Sequence, residues 1–352
     1  MARNHQVTVI CSHFGAEVVK RFGYDLPVIV TEAHSPRSKA KFSRLAYLYR
    51  LYAALKATWR CRHYELVYAG SCYFFDLVPA LLLAAKSSAR RCVASCFHLI
   101  PPPVQRDGAW AVNALAYAEQ RVMLLLLRLY RVRVIVDNKA LLEALVKMGF
   151  KRERLYLSSM GVAHKNIIGE GAAANDSVNS VIYVGRRSAQ KGVDRLLRAW
   201  RTVASEESGV NLVLIGRDGP GFDTDGKVQA LGLNGRVSIF SDLDDAGVSR
   251  ALAAGRFFVT ASLEEGFGVS VLEALAHGLP CVTFDLPAFR EAFPVGRHVV
   301  KEATDEALAR AIVSLLRNPG MVGALRSEIA GKFSFESWDQ VGEGVISWIE
   351  SV

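Results

Sequence analysis

The feature that most constrains this chain of 352 residues is an alternation, run through twice, of short β-branched stretches with longer stretches of helical periodicity. In the first half, residues 7–10, 28–31, 66–69, 92–97 and 132–136 read as buried strands, and 16–22, 42–59, 71–85, 112–131 and 140–148 as helices. In the second half, strands at 181–184, 211–215, 237–240, 257–260 and 280–284 alternate with helices at 193–204, 248–253, 269–276 and 305–317. Such a pattern admits few architectures. Each half is expected to form a parallel sheet covered by helices on both faces, a doubly wound α/β unit. The small, polar stretch 169–180, GEGAAANDSVNS, reads as the linker between them.

Composition supports two globular cores, with 51% apolar and 22% charged residues, in more chain than one core usually holds. The most apolar stretch, 122–136, contains Arg128, Arg131 and Arg133 and falls short of the roughly 20 apolar residues of a spanning helix. The opening MARNHQVTVIC lacks a signal-peptide core, so a cytoplasmic protein is expected. Cys11, Cys61, Cys72, Cys92, Cys96 and Cys281 include no CxxC pair and no zinc spacing, so reduced thiols are expected.

Charge divides the halves. Residues 1–165 hold 25 Lys and Arg against 10 Asp and Glu, and the remainder 18 against 24. A basic first half suits an anionic partner, yet no RRM-like strand or zinc finger accompanies it, so nucleic acid is not expected. Phe42, Leu45, Leu48, Tyr49, Tyr52, Leu55 and Trp59 fall on one helical face, edged by Lys39, Lys41, Arg44, Arg50, Lys56 and Arg60. That helix fits packing on its own sheet, or peripheral contact with an anionic membrane at the inner face.

The densest chemical signal is ASLEEGFGVSVLEALAHGLPC at 261–281. Strand 257–260 runs into a loop in which Gly266 and Gly268 have the freedom for positive φ, and a helix starts at Val269 and ends at Gly278 before Pro280. A glycine loop leading into a helix N-terminus suits a phosphate. Glu265 and Glu273, with seven residues between them, suit hydroxyls instead, because ionised carboxylates only accept hydrogen bonds. A nucleotide sugar combines both needs. Arg186 and Lys191 lie in GRRSAQKG, which begins at Gly185 just past strand 181–184, at the sheet edge where open α/β folds bind ligands. Two cations there can stabilise a departing diphosphate. Gly216 opens a second turn, GRDGPG, which lacks GxGxxG spacing and is not expected to lead promptly into a helix. Asp223 and Asp225 read as part of a solvated turn, and no metal site is expected.

Together, Arg186 with Lys191 five residues on, and GFG flanked by Glu265 and Glu273, resemble the signature of the retaining family 4 (group 1) glycosyltransferases of the GT-B fold. IVDNKALLEALVKMGF, LYLSSMGV, DLPAFREAF and FSFESW extend the likeness over residues 60–352. The resemblance implies two Rossmann-like domains facing across a cleft: an acceptor domain at 1–168, a donor domain at 175–334 and a helix within 335–352 crossing back to the first. It implies Arg186 and Lys191 on the donor diphosphate, Glu273 on the ribose and Glu265 on the transferred sugar. Gly185, Gly216, Gly266, Phe267, Gly268 and Val269 would line the donor site, and His98 would stand at a strand end near sugar and acceptor.

The implied reaction carries a sugar from a nucleotide-diphosphate donor to a sugar or lipid-linked acceptor. The departing phosphate would take the acceptor's proton, with no metal and no cofactor beyond the donor. A nucleotide-sugar binder without turnover and a GT-B sugar-nucleotide epimerase are the alternatives. RNHQVTVIC resembles the family's second strand, so the preceding strand, glycine loop and helix are expected to be missing from the first sheet, unless 7–10 serves as the first strand with CSHFG as a shortened loop. Met160, Ala163 and Ser270 stand where the family usually has Asn, an acidic residue and Pro.

Overall fold

The computed structural model describes residues 5–21, 23–31, 44–61, 63–87, 89, 91–105, 110–162 and 179–351, the side chains of 44–47 and 105 excepted. The expected linker lies outside them but for its last two residues, as do Lys39, Lys41, Phe42 and Ala163. The chain divides into one compact unit of Met1–Ser158 with Gly342–Val352 and another of Ser159–Val341.

In the first unit, β1 (Val9–Cys11), α1 (His13–Arg21) and β2 (Val28–Val30) make a two-stranded parallel sheet with its crossover helix. After α2 (Arg44–Trp59) comes β3 (Leu66–Ala69), then α3 (Phe74–Ser87), β4 (Arg91–Ser95), α4 (Trp110–Leu129), β5 (Arg133–Val136), α5 (Lys139–Lys147) and β6 (Leu155–Leu157). Strands β3 to β6 form a separate four-stranded parallel sheet in chain order. Leu77, Leu127 and Leu145 from α3, α4 and α5 seal it against Val134 and Val136, and burial on both faces is why its strands are continuously apolar. Among the described residues, β1 pairs only with β2. Among the described residues Val9–Cys11 therefore does not bridge to β3.

Of the apolar face of α2 that fits either packing on the sheet or contact with a membrane, Leu48, Tyr49, Tyr52 and Trp59 are exposed, whereas Ala53 and Thr58 of the same helix are buried. The helix packs against α3.

The second unit opens with β7 (Gly161–Val162), followed by β8 (Ser180–Val184), α6 (Val193–Glu206), β9 (Asn211–Ile215), α7 (Thr224–Ala230), β10 (Val237–Phe240) and α8 (Asp245–Ala254). It continues through β11 (Phe257–Val259), α9 (Val269–Ala276), β12 (Cys281–Phe284), α10 (Pro287–Ala292), β13 (Arg297–Val300), α11 (Asp305–Arg317), α12 (Pro319–Lys332) and β14 (Glu336–Ser337). Six parallel strands run β10-β9-β8-β11-β12-β13, so the first strand of the sheet lies at its centre. Trp200 of α6 is fully buried against this sheet, and its indole N–H donates to the Arg236 carbonyl at 3.0 Å. Thr304 caps α11, accepting from the Ala307 N–H at 3.1 Å. The division of the chain falls at Ser158 and not at 168, because β7 pairs with β14 inside the second unit.

Helix α13 (Trp338–Glu350) carries the chain onward, and its residues from Gly342 belong to the first unit. Ile349 packs on Val93 and Ile135, and Trp348 stacks on Tyr156 at 5.2 Å. Contrary to expectation, a helix does follow the GRDGPG turn promptly. It is α7, whose N-cap is Asp223, accepting from the Gly226 N–H at 3.0 Å. Its shortness and internal Gly226 conceal it, as Gly320, Gly323 and Gly331 conceal α12.

Candidate active site

In the second unit, the loops leaving β8, β9 and β11 lie side by side at the carboxyl edge of the sheet, on either side of the point where the strand order reverses. At such a point successive connections leave to opposite faces and open a crevice. Lys191, from the loop after β8, places Nζ 2.7 Å from Glu265 Oε2, in the loop after β11. The two side chains are 29% and 13% exposed, sheltered enough for charge to count yet open to a ligand. Gly192 sets this approach. Its φ is +68°, and a Cβ there would strike the Ala261 carbonyl, so the two loops press together one residue from Lys191.

Gly268, at φ +99°, is the N-cap of α9, and a Cβ there would strike the Phe289 ring. Of the two glycines expected to take positive φ in this loop, only Gly268 does. The N–H groups of Val269 and Ser270 then begin a helix with no intrahelical acceptor, an anion-favouring terminus. Further along α9, Glu273 is half-buried, and its carboxyl is raised above the usual range by burial and then by Asp245. Among the described residues its carboxylate has no hydrogen-bond partner. His277 ties α9 to α8, with Nδ1 2.7 Å from the Glu273 carbonyl and Nε2 2.7 Å from Ser249 Oγ.

Sequence reasoning missed Arg187. Of two adjacent arginines, Arg186 is exposed and has no ion-pair partner among the described residues, whereas Arg187 is 2% exposed. Arg187 Nε donates to Asp218 Oδ1 at 2.7 Å and Thr224 Oγ1 at 3.0 Å, and its other nitrogens reach Ser241 Oγ and the Gly216 carbonyl. Burial alone would raise the Asp218 carboxyl, but hydrogen bonds from Thr224 and Arg187 outweigh it and hold it below the usual range. Arg187 thus fastens the loop after β8 to the loop after β9, leaving Arg186 available. Gly185 and Gly216 head these two loops, with φ +152° and +130°. The signal in the sequence was the pair GRR and GRD, each directly after a strand.

In the first unit, His98 is exposed just beyond β4. The buried amide of Gln120 on α4 spans this loop: Nε2 donates to the His98 carbonyl and Oε1 accepts from the Ile100 N–H, both at 2.7 Å. At the end of β5, Asp137 is 5% exposed, and burial pushes its carboxyl up to about 6, against hydrogen bonds from the backbone and from Asn138 Nδ2 at 2.8 Å. Neither Gln120 nor Asp137 is distinguished in the sequence, because their burial is set by distant elements. No group of three or more His, Cys, Asp or Glu suited to a metal occurs among the described residues.

Residues 178–318 match the family model described as glycosyl transferases group 1. A phosphatidyl-myo-inositol mannosyltransferase of Mycobacterium leprae is 34% identical over 143 residues, 40% of this chain and 37% of the relative. A GDP-mannose:cellobiosyl-diphosphopolyprenol alpha-mannosyltransferase of Xanthomonas campestris is 27% identical over 150 residues, 42% and 39% of the two chains. The matched stretch thus spans under two fifths of these curated relatives. Over nearly the whole chain the fold matches Anabaena HepE, solved with UDP and glucose, at TM-score 0.70 and 18% identity, covering 96% of this chain and 89% of that one. It also matches WaaG, a glycosyltransferase involved in lipopolysaccharide biosynthesis, at TM-score 0.67 and 16% identity, covering 98% and 100%. By sequence the second unit is similar to the group 1 glycosyl transferases, and over nearly its whole length the chain shares the fold of these solved GT-B glycosyltransferases.

Proposed function

We propose that this protein transfers a hexosyl group, with retention of configuration, from a nucleoside-diphosphate sugar to a sugar or lipid-linked acceptor. The observation that carries the reading is the Lys191–Glu265 pair, a cation and a carboxylate 2.7 Å apart at the switch-point edge of the second sheet. Lys191 and Arg186 are assigned to the diphosphate, Glu265 to the hydroxyls of the transferred sugar and Glu273 to the ribose. The half-buried Glu273, with hydrogen-bond capacity unused among the described residues, suits paired hydroxyls. GDP-mannose in the name of the Xanthomonas relative, and UDP-glucose in a second HepE structure, support mannose or glucose as the sugar.

In this reading the bond from the anomeric carbon to the diphosphate oxygen breaks while the acceptor oxygen bonds to that carbon on the same face. The acceptor's proton passes to the departing phosphate oxygen. Negative charge building on the diphosphate is met by Arg186, Lys191 and the first turn of α9, so no metal is assigned a role. His98 is assigned to the acceptor side. Leu48, Tyr49, Tyr52 and Trp59, exposed on α2, support peripheral contact with an anionic bilayer. Retention on vesicles containing anionic lipid at low salt, lost when Tyr52 and Trp59 become serine, checks that contact.

The deciding experiment offers GDP-mannose and UDP-glucose with lipid-linked and free sugar acceptors and reads the anomeric configuration of the product. Turnover that survives chelator and falls sharply in Glu265→Gln supports the reading. Undiminished turnover in that variant contradicts it. The interrupted sheet of the first unit favours a second reading, a donor binder without transfer. Donor binding with no product across the acceptor panel would establish it.

A further inference from the structure

The transfer reading uses none of the six cysteines, yet two of them stand against each other in the first unit. Cys72 lies in the turn between β3 and α3, and Cys96 directly follows β4. Their sulfurs are 3.5 Å apart, within hydrogen-bonding distance, although the residues are 24 positions apart in the chain. Cys96 is fully buried and Cys72 almost so. Cys61 and Cys281 turn instead to backbone carbonyls, those of Ala57 at 3.4 Å and Leu279 at 3.5 Å.

The sheet makes the meeting. Strands β3 and β4 are neighbours with Ala69 beside Ala94, so the segments leaving them start one strand spacing apart, about 4.8 Å. Cys96 keeps to the ladder, its N–H donating to the Ile135 carbonyl at 2.8 Å. Cys72 does not. Its turn is held by side chains, with Ser71 Oγ donating to Asp76 Oδ2 at 2.5 Å and accepting from the Tyr73 N–H at 3.2 Å. A disulfide needs Cα atoms about 4.4–6.8 Å apart and sulfurs about 2.05 Å apart, so the two sulfurs have about 1.5 Å left to close. A turn outside any strand ladder supplies a movement of that size by opening locally.

The two thiols are unequal. The hydrogen bond with Cys96, joined by one from the Gln120 amide, lowers Cys72 against the opposing effect of burial, while the same contact and then burial raise Cys96 well above the ordinary thiol range. When the pair loses one proton, the thiolate is therefore on Cys72 and the remaining proton on Cys96. Cys11, Cys92 and Cys281 are all raised by burial, Cys92 to about 11. Since the thiolate is the form that attacks, Cys72 has the character of an attacking thiol and Cys96 that of its resolving partner.

We propose that Cys72 and Cys96 form a reversible oxidation site, closed to a disulfide by hydrogen peroxide and opened by a dithiol. The Cys72 thiolate attacks one peroxide oxygen and the O–O bond breaks. Cys72 becomes a sulfenic acid, and the hydroxide released takes up the proton that Cys72 had lost, giving water. The Cys96 sulfur then attacks the Cys72 sulfur, the S–S bond forms as the S–O bond breaks, and the departing hydroxide takes the Cys96 proton as a second water. Two electrons pass from the sulfurs to the peroxide. A dithiol returns them by exchange and is itself oxidised to a disulfide. The bond ties the turn after β3 to the segment leading to His98, whose carbonyl lies 4.0 Å from Cys96 Sγ. Its formation is independent of the transfer reading.

The test treats the full chain with a few equivalents of hydrogen peroxide, alkylates the remaining thiols under denaturing conditions, and maps the cysteines by digestion and fragmentation without reductant. Cys72 and Cys96 are expected joined, and separated again by dithiothreitol. They should be consumed about ten-fold faster than Cys11 or Cys92, although those two are more exposed. In Cys96→Ser the sulfenic acid at Cys72 should persist and be trapped by dimedone, whereas in Cys72→Ser residue Cys96 should remain alkylatable at the same dose. The wild-type map needs no substitution and so stands whether or not a variant folds. Oxidation that follows exposure, taking Cys11 and Cys92 first, overturns the proposal. So does a wild-type chain in which Cys72 and Cys96 both stay alkylatable, or in which either is joined to a different cysteine.

Discussion

The second unit sets its first strand at the centre of six, so the loops leaving β8, β9 and β11 share one edge and are fastened by Arg187 to Asp218 and Thr224. Among the described residues the first unit breaks the corresponding layer between β1 and β3, and its strand ends carry buried polar side chains, Gln120 beneath the His98 loop and Asp137 after β5. Both units thus steady their strand-end loops with buried polar groups, a guanidinium with a carboxylate and a hydroxyl in the second, an amide and a carboxyl in the first. Perturbing the second unit should therefore separate chemistry from stability. Perturbing the first should mostly move stability.

The largest effect is expected from Lys191→Ala. Removing one charge-stabilising donor should lower the rate of transfer about 100-fold to 1000-fold while the melting temperature hardly moves, since the pair is partly exposed. Steady-state kinetics with calorimetry checks it. Next comes Arg187→Met, which leaves Asp218 and the Gly216 carbonyl without their partner. With Asp218 29% exposed, the loss should be near the lower end for broken buried pairs, about 3 kcal/mol, read from denaturant midpoints. If stability holds, Arg187 is not the fastening that distinguishes the second unit.

In the first unit, Asp137→Asn should stabilise, and the gain should depend on pH. The folded carboxyl titrates at about 6, above its ordinary value, so the folded state holds the proton more tightly than the unfolded chain. Stability is then lost as pH rises from about 4 to 6, and the penalty is fully present above 6. The substitution should add up to about 3 kcal/mol at pH 8 and nothing below about pH 4. A flat profile would remove Asp137 from the account of the first unit. The smallest effect, about 1 kcal/mol, is expected from Thr304→Ala, the α11 cap, and confined to the second unit in hydrogen exchange.

Much of this was legible in the sequence where a few neighbouring residues decide the outcome. The strands at 66–69, 211–215 and 237–240 form over the residues their β-branched runs mark. The stretch 257–281 holds its strand, glycine loop and helix within one segment, so Glu265, Gly268 and Glu273 could be read together. What escaped depends on distance along the chain. Arg186 and Arg187 look alike locally, and only Asp218 and Thr224, 31 and 37 residues beyond Arg187, decide which turns inward. Leu48, Tyr49, Tyr52 and Trp59 have helical spacing, but packing against α3 decides which face is buried, and Ala53 and Thr58 lie on it.

Calorimetric titration of the intact protein with GDP-mannose and UDP-glucose tests the central claim most directly, that the second unit alone is the donor site. The account predicts binding of at least one of them that weakens about ten-fold or more in Arg186→Ala and in Glu273→Gln and is unchanged in His98→Ala. Binding indifferent to Arg186 and Glu273, or lost on replacing His98, would contradict it.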